Sequence, residues 1–193
     1  MPTHLRRYDQ PGHIHFWTIS TYRRLAFFWH DALKRTVAEG LRLLQERHGI
    51  CLIAYVVMPD HVHVVLFPHR RGDPEPIPIS ILLHAFKRYV GQHGKQRLRD
   101  IWRREGKLWS EPLNAWAHGA FDEQSIWTPR GYDFNITSDK ALHQKIDYCH
   151  KNPVTRGLVL RPEEWRWSSA RFYELGDRSV LSMNWDGAWP IVW

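Results

Sequence analysis

The run from Ile50 to Val57 (ICLIAYVV) is apolar throughout, and after only Met58-Pro59-Asp60 the chain enters a second run, His61 to Phe67 (HVHVVLF). Continuous apolar runs of this length fit central strands. A connection this short cannot cross over a sheet, so the two strands must be antiparallel neighbours. Other elements fall around this hairpin. Residues 13–22 (HIHFWTISTY) are rich in β-branched and aromatic types and read as a first strand. Asp31 is placed to cap a helix over 32–48, where Leu33, Val37, Leu41 and Leu44 recur at helical spacing and Gly49 supplies the stop. Residues 68–78 carry Arg70, Arg71, Gly72 and four prolines and read as an exposed loop.

A second helix is expected over 81–97 behind Ser80. Leu82, Leu83, Phe86 and Val90 form its apolar side, and Lys87, Arg88, Lys95 and Arg97 its polar side. Residues 99–124 show no readable pattern. Residues 125–128 (SIWT) are the candidate fourth strand. Ser138 caps a third helix that should stop near Asn152, because Pro153 disfavours helical geometry at the residue before it. The order strand, helix, strand, strand, helix, strand, helix is that of an α+β protein with a ferredoxin-like split βαβ antiparallel sheet and one extra C-terminal helix. The length suits one domain, taken as residues 1–175, with a Trp-rich tail over 176–193. Such a fold hosts many functions, so function must come from particular residues.

Charge narrows the partners. A formal net charge of +7 and a pI near 9.6 favour an anionic partner, most commonly nucleic acid. Eleven tryptophans offer stacking surfaces for unpaired bases, although each is more often a core residue. Cys51 and Cys149 are too few and too far apart for a disulfide framework or a zinc knuckle. The apolar run 50–58 is too short to span a bilayer, and no signal-peptide h-region precedes it. These features fit a reduced, cytoplasmic, nucleoid-associated protein with no membrane partner; monomer and homodimer both remain open.

The chemistry concentrates in two places. On a strand, His61 and His63 point to the same face, side by side, as a pair of metal ligands would. A His-x-His pair alone is as readily structural, and His13-Ile14-His15 reads that way. On the third helix, Tyr148 and Asn152 are one turn apart and share a face distinct from that of Leu142, Ile146 and Cys149. A Tyr there can reach substrate and a carboxamide oxygen can complete a metal site; the plainer reading is a packing tyrosine and a helix stop.

Longer strings decide between these readings. Tyr55-Val56-Val57-Met58-Pro59-Asp60-His61-Val62-His63-Val64-Val65 resembles the central motif of the single-tyrosine, histidine-hydrophobe-histidine transposases. Ile146-Asp147-Tyr148-Cys149-His150-Lys151-Asn152-Pro153-Val154, with Arg156-Gly157-Leu158-Val159 after it, resembles their nucleophile helix. Gly131-Tyr132-Asp133-Phe134-Asn135 and Arg161-Pro162-Glu163-Glu164-Trp165-Arg166-Trp167-Ser168-Ser169-Ala170 are similar to the branch called REP-associated tyrosine transposases.

The resemblance implies a metal-dependent single-stranded DNA transposase and endonuclease. Tyr148 is the implied nucleophile, passing through a 5′-phosphotyrosine, and His61, His63 and Asn152 are the implied ligands of Mg2+ or Mn2+. Single-stranded or hairpin DNA is the implied partner, with Lys87 and Arg88 at positions where the family carries basic residues. The basic helix side, including Lys95, and Arg70-Arg71 are expected to hold the DNA backbone. Asp60 stands where Asn is commoner and Cys149 where an aliphatic residue is commoner. Two rivals are weighed: a non-catalytic or domesticated single-stranded nucleic-acid binder, and a histidine-triad nucleotide hydrolase. Val65, where the hydrolase needs a third His, argues against the latter.

Overall fold

In a computed structural model, residues 13–68, 75–120 and 124–187 are described. Strand β1 is Ile14–Ser20, helix α1 Asp31–His48, strand β2 Cys51–Val57 and strand β3 His61–Phe67. Helices α2 (Ile79–Glu105) and α3 (Glu111–Ala120) follow, then strand β4 (Tyr132–Ile136) and helices α4 (Asp139–Thr155) and α5 (Ala170–Leu175). The strands form one antiparallel sheet in the order β2-β3-β1-β4, the ferredoxin-like arrangement expected. The Met58-Pro59-Asp60 connection closes the β2–β3 hairpin, and the Met58 N–H donates to the His61 carbonyl.

The β2–β3 runs are apolar throughout because both faces are covered. Val62, Val64 and Leu66 face α1 and α2 with Trp17, Ile19, Leu52, Tyr55 and Val57. The opposite face, with Phe16, Ile53, Val56 and Val65, receives Leu142, Ile146 and Cys149 of α4. The outer edge of β2 is closed as well. The Val57 N–H donates to the Trp167 carbonyl and the Ser169 N–H to the Tyr55 carbonyl. Asn184 bridges the Leu52 N–H and the Ile50 carbonyl, and Leu181 and Met183 join the α1 side of the core. Among the described tryptophans, Trp17, Trp116, Trp127 and Trp167 are buried in that core, and Trp102, Trp109 and Trp165 pack against it.

Several boundaries differ from the sequence reading. The cap of α1 is His30, whose ring accepts from the Ala32 N–H. Asp31 instead accepts from Lys34 and from the Trp167 indole. Helix α2 starts one turn after Pro76, at Ile79, and continues past residue 97, because Leu98 and Ile101 extend its buried stripe. It ends at Gly106, whose φ of 68° closes the C-cap on the Trp102 carbonyl. Residues 125–128 are not a strand: only a single bridge joins Thr21 to Trp127, and no ladder extends from it. The fourth strand is 132–136. Its inward residue Asp133 is polar and is held by His15 Nδ1 at 3.0 Å, which hides the strand pattern. Pro153 lies inside α4, whose last turn survives because the Arg156 N–H donates to the Asn152 carbonyl. The region beyond it is not wholly irregular, since α5 packs there.

Helices α1 and α2 meet at Gly40. A Cβ there would lie 2.9 Å from Val90 Cγ2 and 3.3 Å from Phe86 Cδ2. Gly normally weakens a helix interior, so Gly40→Ala removes that penalty while forcing the helices apart. Gly40→Val keeps the clash and adds bulk. It is expected to cost about 1–3 kcal/mol by overpacking, read as a lowered midpoint in urea unfolding with an unchanged slope.

Candidate functional site

Register sets the site. Because Thr18 pairs with His63 and Ser20 with His61, both histidines stand on the α4 face, next to β1. Their rings are 4.6 Å apart between centroids. Each is anchored through Nδ1. His61 Nδ1 lies 2.6 Å from Asp60 Oδ1, and His63 Nδ1 lies 2.9 Å from Thr18 Oγ1. An ionised carboxylate only accepts, so His61 donates through Nδ1 and its Nε2 carries the lone pair. Burial, reinforced by His61 and the nearby Arg24 and Lys145 charges, pushes the His63 pKa down to about 3. His63 is therefore neutral near pH 7, as a metal ligand must be.

Asp60 serves the site from behind the ring. Burial pushes its carboxyl up, but the His61 hydrogen bond and the His61, Arg156 and Arg24 charges outweigh this and hold it below the usual range. Its second oxygen faces Arg24 at 3.5 Å and Arg156 at 3.6 Å. Arg23 and Arg24 both adopt left-handed backbone, with φ of 49° and 56°. Such geometry costs about 1–2 kcal/mol per non-glycine residue, and it brings the Arg24 guanidinium to Asp60.

Helix α4 brings the other two residues. Leu142, Ile146 and Cys149 seat it on the sheet, and the same stripe continues to Asn152, which is buried. Asn152 thus lies at the end of the packed face, not on a separate polar face as the spacing alone implied. Tyr148 stands at the margin of that face, 50% exposed. Its ring meets His63 edge-on at 5.0 Å and Phe16 at 5.9 Å.

His61, His63, Tyr148 and Asn152 line a single cavity of about 320 Å³ with Thr18, Arg24, Lys151, Thr155 and Arg156. Two buried atoms there have no hydrogen-bond partner among the described residues, His63 Nε2 and Asn152 Oδ1. Leaving a buried polar atom unsatisfied costs roughly 1–3 kcal/mol. Two such atoms beside a second imidazole form an N,N,O donor set that fits a divalent cation. Among the described residues no group of three His, Cys, Asp or Glu could hold a metal ion.

The basic residues expected to hold DNA are dispersed. Arg70 and Arg71 lie outside the described residues. Lys87, Arg88 and Lys95 are on α2, in the layer across the sheet from the cavity. The Lys87 ammonium donates to the Thr128 and Pro129 carbonyls. The cations at the cavity are instead Arg24, Lys151 and Arg156. Arg156 was accessible to sequence reasoning, one turn beyond Asn152; Thr18 and Arg24 were not, because their relevance depends on the β1–β3 register. His15, of the second His-x-His, faces the other side of the sheet, fully buried against Asp133.

Residues 10–132 match the family described as IS200-like transposases, a span that ends before Tyr148. A Haemophilus influenzae protein named as a REP-associated tyrosine transposase is 23% identical over 182 residues, covering 94% of this chain and 92% of that one. A solved REP-associated tyrosine transposase bound to a REP hairpin superposes with a TM-score of 0.62 at 20% identity. It covers 97% of this chain and 93% of its own, and so shares the fold. Since the family match takes in more than half of the sequence, the chain belongs to the IS200-like transposases, DNA-processing enzymes.

Proposed function

We propose that the chain cleaves and rejoins single-stranded DNA beside a hairpin, with Tyr148 as nucleophile and His61, His63 and Asn152 as holders of Mg2+ or Mn2+. The observation that carries this reading is the convergence of those four side chains on one cavity, two of them with orphaned ligand atoms. All four come from one chain, so one copy holds the full set. Imidazole ligands favour Mn2+ over Mg2+. Bound there, the divalent ion supplies Lewis-acid polarisation of the phosphate and a template for in-line geometry.

Tyr148 Oη attacks phosphorus, the bond to the 3′ oxygen breaks, and the departing oxygen gains a proton as the phenol loses one. The products are a phosphotyrosine on the 5′ side and a free 3′-hydroxyl. One phosphodiester replaces another, so a 3′-hydroxyl can reverse the step without ATP. Arg24, Lys151 and Arg156 hold the phosphates nearest the cut. Arg70, Arg71, Lys87, Arg88 and Lys95 are assigned to DNA farther out. Residues 1–175 act as the catalytic domain and 176–193 as a tail, of which Asn184 bonds to the Leu52 N–H and the Ile50 carbonyl beside β2. Among the described residues no helix is long and apolar enough to cross a membrane, and the proposed workplace is the cytoplasmic nucleoid.

Incubation with oligonucleotides and Mn2+ tests the reading. A hairpin with single-stranded flanks should give a covalent protein–DNA adduct, because in-line attack needs a flexible backbone. Blunt duplex should give none and bind more weakly. Affinity should fall with salt, with a log–log slope of about −0.7 per phosphate contacted. Equal affinity for duplex and single strand, with no adduct on either, would leave a plain binding protein.

A further inference from the structure

Helix α4 packs over β2 and β3 and leaves the β1–β4 side of that face less covered. Strand β4 is the sheet's end strand, and among the described residues no segment pairs with its outer edge. On this open corner stand two aromatic side chains that a folded core does not use: Tyr132, 44% exposed, and Phe134, 38% exposed. Two residues apart on one strand, they share a face, and their rings are 6.4 Å apart and within 12° of parallel. Their neighbour Asp133 points to the other side and is buried with His15.

The corner is continuous with the cavity. Phe134 pairs across the ladder with Phe16, whose ring stacks 5.3 Å from His63 and meets Tyr148 edge-on. Tyr132 pairs with Thr18, the residue that anchors His63. Phe134 is one strand spacing, about 4.8 Å, from Phe16, whose ring meets Tyr148 at 5.9 Å. The rings therefore sit within a few nucleotides of a phosphate at Tyr148. Charge fits as well: Lys145, one turn before Tyr148, holds its ammonium 4.7 Å from the Phe16 centroid and 4.9 Å from that of Phe134. A cation between Phe16 and Phe134 can neutralise a backbone phosphate while the exposed rings of Tyr132 and Phe134 take bases.

We propose that Tyr132 and Phe134 are a stacking platform for the unpaired bases adjoining the scissile phosphate, with Lys145 holding a phosphate on the Tyr148 side of Phe134. This rests on the reading of Tyr148 as the attacking residue, since it fixes where the scissile phosphate lies. The platform's task is to keep the single strand extended across β1 and β4, with the cut phosphate over Tyr148. It also gives a reason why unpaired DNA is preferred to duplex, whose bases are already stacked on one another.

The test uses the full chain and a hairpin oligonucleotide whose single-stranded flank carries 2-aminopurine next to the cut site. Binding to the Tyr148→Phe protein should quench the fluorophore, and Tyr132→Ala/Phe134→Ala on that background should restore most of its emission. The same double change should weaken binding of the flanked hairpin about 10- to 100-fold, in the range found for loss of stacked bases. On a hairpin whose flank is abasic, the change should make little difference. Tyr132→Phe/Phe134→Tyr keeps both ring faces and should restore quenching and affinity, which a loss of folding would not allow. Equal loss on normal and abasic flanks, or undiminished quenching in the double Ala variant, overturns the platform. Absence of an adduct in wild type, with base-dependent quenching intact, would overturn the nucleophile assignment and leave the platform standing.

Discussion

Tyr148→Phe is expected to abolish both strand cleavage and the covalent adduct while leaving a folded, DNA-binding protein. The change removes one oxygen from a half-exposed ring. That ring packs through its edges and faces, against His63 and Phe16, and Phe keeps those contacts. The hydroxyl is not part of the α4 seat, which is made by Leu142, Ile146 and Cys149. Stability should therefore change by no more than about 0.5 kcal/mol. The proposed ligands are untouched, so metal binding should persist. Cleavage, in contrast, should fall by on the order of 10⁴-fold or more, because Phe offers no nucleophile. The measurement is a denaturing gel of protein and labelled hairpin after incubation with Mn2+. Tyr132 and Tyr173 are the tyrosines nearest in kind. Tyr173, however, donates its hydroxyl to the Ile53 carbonyl at 2.6 Å, and Tyr132 has no ligand set one turn away. An adduct that persists in Tyr148→Phe and maps to either of them would end the assignment.

The parts of this site that were legible in the sequence are those governed by local periodicity. His61 and His63 share a face because strand side chains alternate, and Tyr148 and Asn152 approach because a helix turn is about four residues. The hairpin that carries the histidines was readable from its unbroken apolar character. What failed depended on contacts distant in sequence. Strand 132–136 is hard to read because one of its two buried positions is Asp133, satisfied by His15 from β1, and a polar inward residue erases the alternation that marks a strand. The SIWT segment has the composition of a strand, but it makes only one bridge, to Thr21, and that depends on a contact distant in sequence. Asn152 was assigned to a polar face, whereas its side chain ends the buried stripe.

Charge was the least legible property. The basic side of α2 looked like a DNA grip, yet it lies in the layer across the sheet from the cavity, and Lys87 ties a loop to its own helix. The cations at the cavity, Arg24 and Arg156, are organised by Asp60, the residue that stood out against the family pattern. Its carboxylate turns out to be a partner of His61 Nδ1, and not an added ligand beside the histidines.

His63→Ala is expected to remove metal binding and cleavage together while most DNA binding remains. His63 is the deeper of the two imidazoles, with 3% of its surface exposed, and its Nε2 has no partner among the described residues. Since the ring is held neutral, its lone pair is available over the whole physiological range. A ligand that binds only the folded state stabilises it by about 2.7 kcal/mol at a hundredfold excess over its Kd. For a chain of this size that is a rise in Tm of roughly 5–10 °C. Wild type should show that rise when Mn2+ is added to chelator-treated protein, and His63→Ala should not. The variant will also start from a lower Tm, because removing a buried ring that stacks on Phe16 leaves a cavity. The informative quantity is therefore the increment on adding metal, not the baseline. DNA affinity should change little, because Arg24, Lys151 and Arg156 still line the cavity and attract phosphate through charge. Asn152→Ala should lose less activity than His63→Ala, since water can occupy the position of a carboxamide oxygen more readily than that of a buried imidazole. Cleavage by His63→Ala at the wild-type rate, in chelator-treated buffer with added Mn2+, would show that the ligand assignment is wrong.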